Sequence, residues 1–148
     1  MHIAVGSDHA GWPLKQQLID HIRSLGYEVL DVGSYNEMPA DFPDIARKLA
    51  AKVTSGQAQR GLMVCGTGVG ACIAANKMKG IRAAVCHDVH SAHQSVEHDD
   101  VNVMCLGAQI VGAWLARDLI TAFLQARFST DEEFRRRVAK LHAMDGEI

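Results

Sequence analysis

This sequence contains no CxxC pair, no HExxH and no long apolar run. Its four cysteines, Cys65, Cys72, Cys86 and Cys105, therefore do not spell a zinc ribbon or a thioredoxin-like motif. No stretch approaches the length that crosses a bilayer, so no membrane partner is expected. Charge of one sign is lacking too: the net charge is -2, which gives no general pull toward nucleic acid. The opening Met1-His2-Ile3-Ala4-Val5 lacks the basic, apolar, then small pattern of a secretory leader. A cytoplasmic protein with reduced thiols is the expectation. Repeats, low-complexity segments and an interdomain linker are likewise missing, which leaves one domain over residues 1–148.

What is present is an alternation. Short apolar runs at Ile3–Gly6, Tyr27–Val32, Gly61–Cys65, Ile81–Cys86 and Val101–Leu106 read as five strands. Helical stretches separate them. Pro13 to Leu25 carries Leu14, Leu18, Ile22 and Leu25 on one stripe, with Pro13 in the first turn and Gly26 after the last. Further helices are expected over Asp44–Val53, from the glycine-rich loop to about Met78, over Val89–Glu97, and from Gly107 to about Phe128. A last one opens at Thr130-Asp131-Glu132-Glu133, with Thr130 as cap. Continuously apolar strands alternating with helices imply a parallel sheet covered on both faces, a three-layer α/β/α domain. Such sheets bind ligands beyond the carboxyl ends of their strands. That rule selects Ser7-Asp8-His9, Cys65–Gly70, His87-Asp88 and Gly107-Ala108-Gln109.

The strongest local pattern is Cys65-Gly66-Thr67-Gly68-Val69-Gly70. Three glycines let the backbone turn tightly, and their N–H groups can form an anion nest at a helix start. A thiolate on the rim could abstract a proton next to a carbonyl while the amides hold the developing oxyanion. The alternative is a tight turn with a passive cysteine. No Gly-Lys-Ser/Thr follows, so this is not a Walker loop, and the Gly-x-Gly-x-Gly spacing is not the dinucleotide fingerprint. Asp8-His9 could handle hydroxyl protons, or could be a helix cap beside a surface histidine. His87, Asp88, His90, His93, Glu97, His98, Asp99 and Asp100 form a polar cluster. His93 and Glu97 stand one turn apart, a possible metal pair or simply a solvated face. His98, just before a buried strand, is the better acid–base candidate. Arg135-Arg136-Arg137 could fork a phosphate or lie on a solvated face.

Taken together these residues resemble the ribose-5-phosphate isomerase type B family, which includes the galactose-6-phosphate isomerases of the lactose pathway. The likeness lies in Gly6-Ser7-Asp8-His9-Ala10-Gly11, Cys65 to Gly70, Ile73-Ala74-Ala75-Asn76-Lys77, Gly80-Ile81-Arg82-Ala83-Ala84, and Asn102-Val103 before Leu106-Gly107. It implies an aldose–ketose isomerase of sugar phosphates, such as ribose 5-phosphate, acting through a cis-enediolate without metal or cofactor. Cys65 would be the base, with Thr67 and the amides of Gly66, Gly68, Val69 and Gly70 around the intermediate. His98 would open the sugar ring, and Asp8 and His9 would bind substrate. A glutamate that serves in place of the cysteine in one branch falls at Ala71 here. The resemblance further implies a five-stranded sheet in the order 2-1-3-5-4. It implies a homodimer or homotetramer with sites between subunits, the C-terminal helix (about 131–144) packing at that interface.

Some positions depart from the family pattern. Gln109 and Glu133-Phe134 stand where arginine and Arg-His are frequent, Asp99 follows His98 where asparagine is frequent, and Phe42 replaces a tyrosine. Arg137 matches. Proton transfer is thus kept, while phosphate and hydroxyl recognition, left to Asp99, Gln109 and the matching Arg137, is in part altered. The same chemistry on allose or galactose 6-phosphate, a tetrose phosphate or a free aldose is an alternative. A sugar-binding module without turnover and a thiol redox protein using Cys65 and Cys72 are others.

Overall fold

The computed structural model describes residues 1–147. Eleven elements follow one another: β1 (His2–Ser7), α1 (Trp12–Ser24), β2 (Glu28–Gly33), α2 (Phe42–Thr54), β3 (Arg60–Cys65), α3 (Val69–Asn76), β4 (Ala83–Val85), α4 (Val89–Asp99), β5 (Val103–Gly107), α5 (Ala113–Gln125) and α6 (Glu132–Met144). The strands form one parallel sheet in the order β2-β1-β3-β5-β4. The expected order and layering both hold.

Period-two alternation in the strands builds the two cores. Ile3, Val5, Leu62, Val64, Met104 and Leu106 point to one face, where Leu18 and Ile22 of α1, Val96 of α4 and Phe123 of α5 cover them. Ala4, Met63, Cys65, Val103 and Cys105 point to the other, under Ile45 and Leu49 of α2 and Ala71 and Ala75 of α3. Truncating a side chain such as Leu62 or Leu49 would cost about 2–5 kcal/mol, because neither layer can collapse onto a rigid sheet. The last helix differs: Val138 is its only buried side chain among the described residues. It rests on α4 near that helix's C-terminal end, where the Ser129 N–H donates to the Glu97 carbonyl at 2.9 Å.

Several boundaries differ from the sequence reading. The fourth strand is only Ala83–Val85, because Arg82 N–H is taken by the Asn102 side chain (2.8 Å) and Ile81 N–H by the Met78 carbonyl (3.1 Å). The third helix ends at Asn76, and Lys77 and Met78 close it as a tighter turn. The helix expected from Gly107 begins at Ala113, since Ala108 and Gln109 donate to the carbonyls of Cys65 and Gly66 at 2.8 and 3.0 Å. It ends at Gln125, where Arg60 caps it by donating to the carbonyls of Phe123 and Ala126, the latter at 2.7 Å. Burial of that guanidinium lowers its pKa. The cap of α6 is Asp131 rather than Thr130, and it makes no side-chain capping bond.

Candidate active site

Strands β1, β3 and β5 end side by side, with Ser7 paired to Val64 and Cys65 paired to Gly107. Cys65 therefore emerges where the parallel sheet stops and α3 starts. Gly68 is the N-cap of α3 at φ +81°, a left-handed turn that glycine adopts without cost. That turn aims the Gly68 N–H at Cys65 Sγ, 3.0 Å away. The first-turn amides of α3 have no partner within the helix, so this end carries its partial positive charge. The Val69 N–H donates to the exposed Thr67 hydroxyl at 3.3 Å. Gly107 is obligatory beneath the loop, since a Cβ there would lie 2.6 Å from Thr67 Cα.

Asp8 is buried beside this loop. Its Oδ1 accepts the Gly11 N–H at 3.0 Å, and its own N–H donates to the Val64 carbonyl at 3.3 Å. It thus fastens the entry to α1 with one oxygen, which leaves the second for another partner. The exposed His9 accepts the Ala40 N–H on Nδ1 at 3.1 Å, so Nε2 is its protonated nitrogen when neutral. Gln109 lies over Gly66, its Oε1 3.1 Å from where a Cβ would stand. One chain thus gathers Asp8, His9, Cys65, Gly66, Thr67, Gly68, Val69, Gly70 and Gln109.

It does not gather His98, Asp99 and Arg137. Helix α4 leaves the carboxyl end of β4 and runs back to the start of β5. Its 11 residues span about 16 Å, so His98 and Asp99 sit at the opposite end of the sheet from Cys65. Arg137 is on α6 at that same far end, 3.8 Å from Glu133 and 5.8 Å from the Phe134 ring centre. The His98 and Phe134 rings stack, with centroids 4.0 Å apart and planes 12° apart. The end of α6 is tied down as Arg82 Nη1 bonds His142 Nε2 (2.6 Å) and Gly80 N–H donates to Asp145 (3.0 Å).

Two residues outside the expected binding set shape the Cys65 end. Phe42 lies against Gly70, where a Cβ would come 2.8 Å from its ring. His87 Nε2 accepts the Gly107 N–H at 2.9 Å and so pins the loop opposite Cys65. The strand-end rule had pointed to His87; nothing local marks Phe42 as a neighbour of Gly70. His93 and Glu97 pair with each other at 2.5 Å on the exposed face of α4. No group of three or more His, Cys, Asp or Glu suited to a metal occurs among the described residues. The four cysteines are free. Cys72 Sγ donates to the Ala83 carbonyl at 3.5 Å, and the neighbouring Cys105 thiol is the main cause of a pKa lowered to about 7, whereas Cys65 faces the Gly68 amide. Cavities of about 610 and 470 Å³ flank α3 and α6; Cys72, Lys77 and Lys79 line the first, Arg82, Asp99 and His142 the second. Neither includes Cys65, so strand polarity and the amide at sulfur locate the site better than cavity size.

The chain matches the family model described as Ribose/Galactose Isomerase over residues 3–141. It is 42% identical to ribose-5-phosphate isomerase B of Escherichia coli over 126 residues, 85% of each chain. It is 43% identical to a D-erythrulose-4-phosphate isomerase of Pectobacterium atrosepticum over 131 residues, 86% of this chain and 85% of the other. The solved ribose-5-phosphate isomerase B of Clostridium thermocellum superposes with a TM-score of 0.96 at 42% identity, covering 99% of both chains. No helix among the described residues is long and apolar enough to cross a membrane.

Proposed function

Because this chain belongs to the ribose/galactose isomerase family, we propose that it interconverts ribose 5-phosphate and ribulose 5-phosphate at the Cys65 end of the sheet. The observation that carries this reading is the Gly68 amide aimed at Cys65 Sγ from the N-terminus of α3. A base here takes the C2 proton of the open-chain aldose. The electron pair forms the C1–C2 double bond of a cis-enediolate as O1 takes the charge; a proton passes from O2 to O1, and the protonated base returns a proton to C1 as the C2 carbonyl forms. Negative charge on the enediolate oxygen meets the first-turn amides of α3 and Thr67. The free oxygen of Asp8 and Nε2 of His9 face the sugar hydroxyls.

One chain holds half of this machinery. His98 and Arg137 belong to the same reaction only if a second copy supplies them, so the working unit is a homodimer or a tetramer built from dimers. Exposed Val69, Ile73, Ile110 and Trp114 flank the Cys65 loop, an apolar rim suited to such a partner. A two-fold axis laying each Cys65 end against the other copy's α4 and α6 makes two equal sites. In that arrangement α6 packs at the subunit interface, Arg137 takes the phosphate, and Asp99 and Gln109 contact the sugar.

A four-carbon sugar phosphate is the second reading. It is favoured by the 43% identity to the D-erythrulose-4-phosphate isomerase of Pectobacterium atrosepticum. The deciding experiment is an isomerase assay in EDTA on ribose 5-phosphate, allose 6-phosphate, erythrose 4-phosphate and free ribose, with Cys65→Ala in parallel. Turnover of ribose 5-phosphate that the substitution abolishes supports the first reading. Turnover that survives it removes Cys65 as the base, and activity on erythrose 4-phosphate alone selects the second reading.

A further inference from the structure

We infer that Phe134 is a positioning residue for ring opening, holding the His98 imidazole by its face so that both ring nitrogens stay free. This rests on the reading that His98 of one copy opens the sugar ring at the Cys65 end of another. Histidines are commonly oriented through one nitrogen, which is then unavailable to the substrate. His98 has no hydrogen bond from either ring nitrogen among the described residues; its defined contact is the stack at 4.0 Å and 12°. A parallel stack fixes the ring plane and leaves the whole nitrogen edge open. Phe134 is itself held, because α6 is fastened through Val138, His142 and Asp145. Arg137 lies 5.8 Å from the phenyl centre and is drawn to Glu133 at 3.8 Å, so its placement does not depend on the ring alone.

The step served is specific. In the furanose form of an aldopentose 5-phosphate, the imidazolium gives its proton to O4 as the C1–O4 bond breaks. The neutral imidazole then takes the O1 proton as the C1 carbonyl forms, so no net proton is consumed. Ribulose 5-phosphate cannot close a five-membered ring, since its O5 is esterified. Removal of its C1 proton therefore needs Cys65 but no ring opening.

Two rates separate the roles in the full-length protein: conversion of ribose 5-phosphate to ribulose 5-phosphate, and exchange of the ribulose 5-phosphate C1 proton with D2O followed by NMR. Phe134→Leu should lower kcat for the first about 2- to 10-fold, the worth of one aromatic stack, and leave the exchange rate within about two-fold. Phe134→Tyr, which keeps the stack, should restore the first rate. An unchanged first rate in Phe134→Leu, or an equal fall in both rates, would overturn the inference, the latter marking Phe134 as merely structural. Activity confined to four-carbon sugar phosphates would overturn it too, since their terminal oxygen is esterified and no ring remains to open. Failure of the underlying reading looks different: exchange that persists in Cys65→Ala.

Discussion

The two ends of the sheet are built by different means. At the carboxyl end, backbone does the positioning: Gly68 aims its amide at Cys65, and the N–H groups of Ala108 and Gln109 close onto the Cys65 and Gly66 carbonyls. At the amino end, side chains do it: His98 rests on Phe134, Arg82 reaches Asp100 and His142, and α6 buries a single residue. Backbone amides at a helix start need no rotamer fixed, so the first end is preorganised. The second end holds its groups with long side chains on a lightly packed helix.

The largest expected effect breaks the comparison outright. Cys65→Ala and His98→Ala should each lower ribose 5-phosphate turnover by about 10²–10⁴-fold, the usual worth of a positioned acid or base. Mixing the two inactive proteins, with subunit exchange, should recover activity. A mixed dimer pairs the intact Cys65 end of one chain with the intact His98 of the other. Random pairing therefore returns about a quarter of the native activity. No recovery, with exchange shown by mass spectrometry, would mean that each chain works alone.

The next effects test the preorganised end through stability. Lys15 is fully buried and donates to Asp31 at 2.7 Å and to the Ser34 carbonyl, anchoring the segment that leads to Ala40 and His9. Asp31→Ala strands a buried ammonium and should cost about 3 kcal/mol in urea unfolding. A loss below about 1 kcal/mol would show that water reaches Lys15. Smaller again is Gly68→Ala. A residue with a Cβ at φ +81° costs about 1–2 kcal/mol, and here that Cβ meets the Leu106 backbone at 3.0 Å. Activity should fall further than stability, because the amide that faces Cys65 turns with the strained residue. Equal retention of both would mean the loop relaxes without moving sulfur.

The legibility of these two ends in the sequence differs for the same physical reason. The Cys65 end is local: strand, glycine-rich turn and helix are contiguous, and six residues from Cys65 to Gly70 display them. The amino end is assembled from α4, α6 and the Gly80–Arg82 turn, so its contacts depend on packing that periodicity does not encode. The short β4 is one consequence, since Asn102 competes for Arg82 and only the fold places it there. The stack of His98 on Phe134 is another. Yet the separation of His98 from Cys65 was readable. In a parallel sheet, a residue just ahead of a strand and one just after another strand lie at opposite ends.

The smallest effect concerns Cys72, on the helix that starts at the Cys65 loop. Its thiol is half-buried, donates to the Ala83 carbonyl and lies within 3.5 Å of Asn76 Nδ2, and its pKa falls to about 7, with the neighbouring Cys105 thiol as the main cause. Cys105 and Cys86 are displaced the other way; holding its proton toward Cys72, together with burial, raises the first, and burial raises the second. Alkylation by iodoacetamide follows the thiolate, so labelling of Cys72 should rise through pH 7 and level off above about pH 8. Cys86 and Cys105 should remain unlabelled over that range. Cys105→Ala removes the donor and should move the Cys72 midpoint upward, toward an ordinary thiol. A midpoint that stays near 7 in that variant would assign the shift to Asn76 and the Val85 backbone instead.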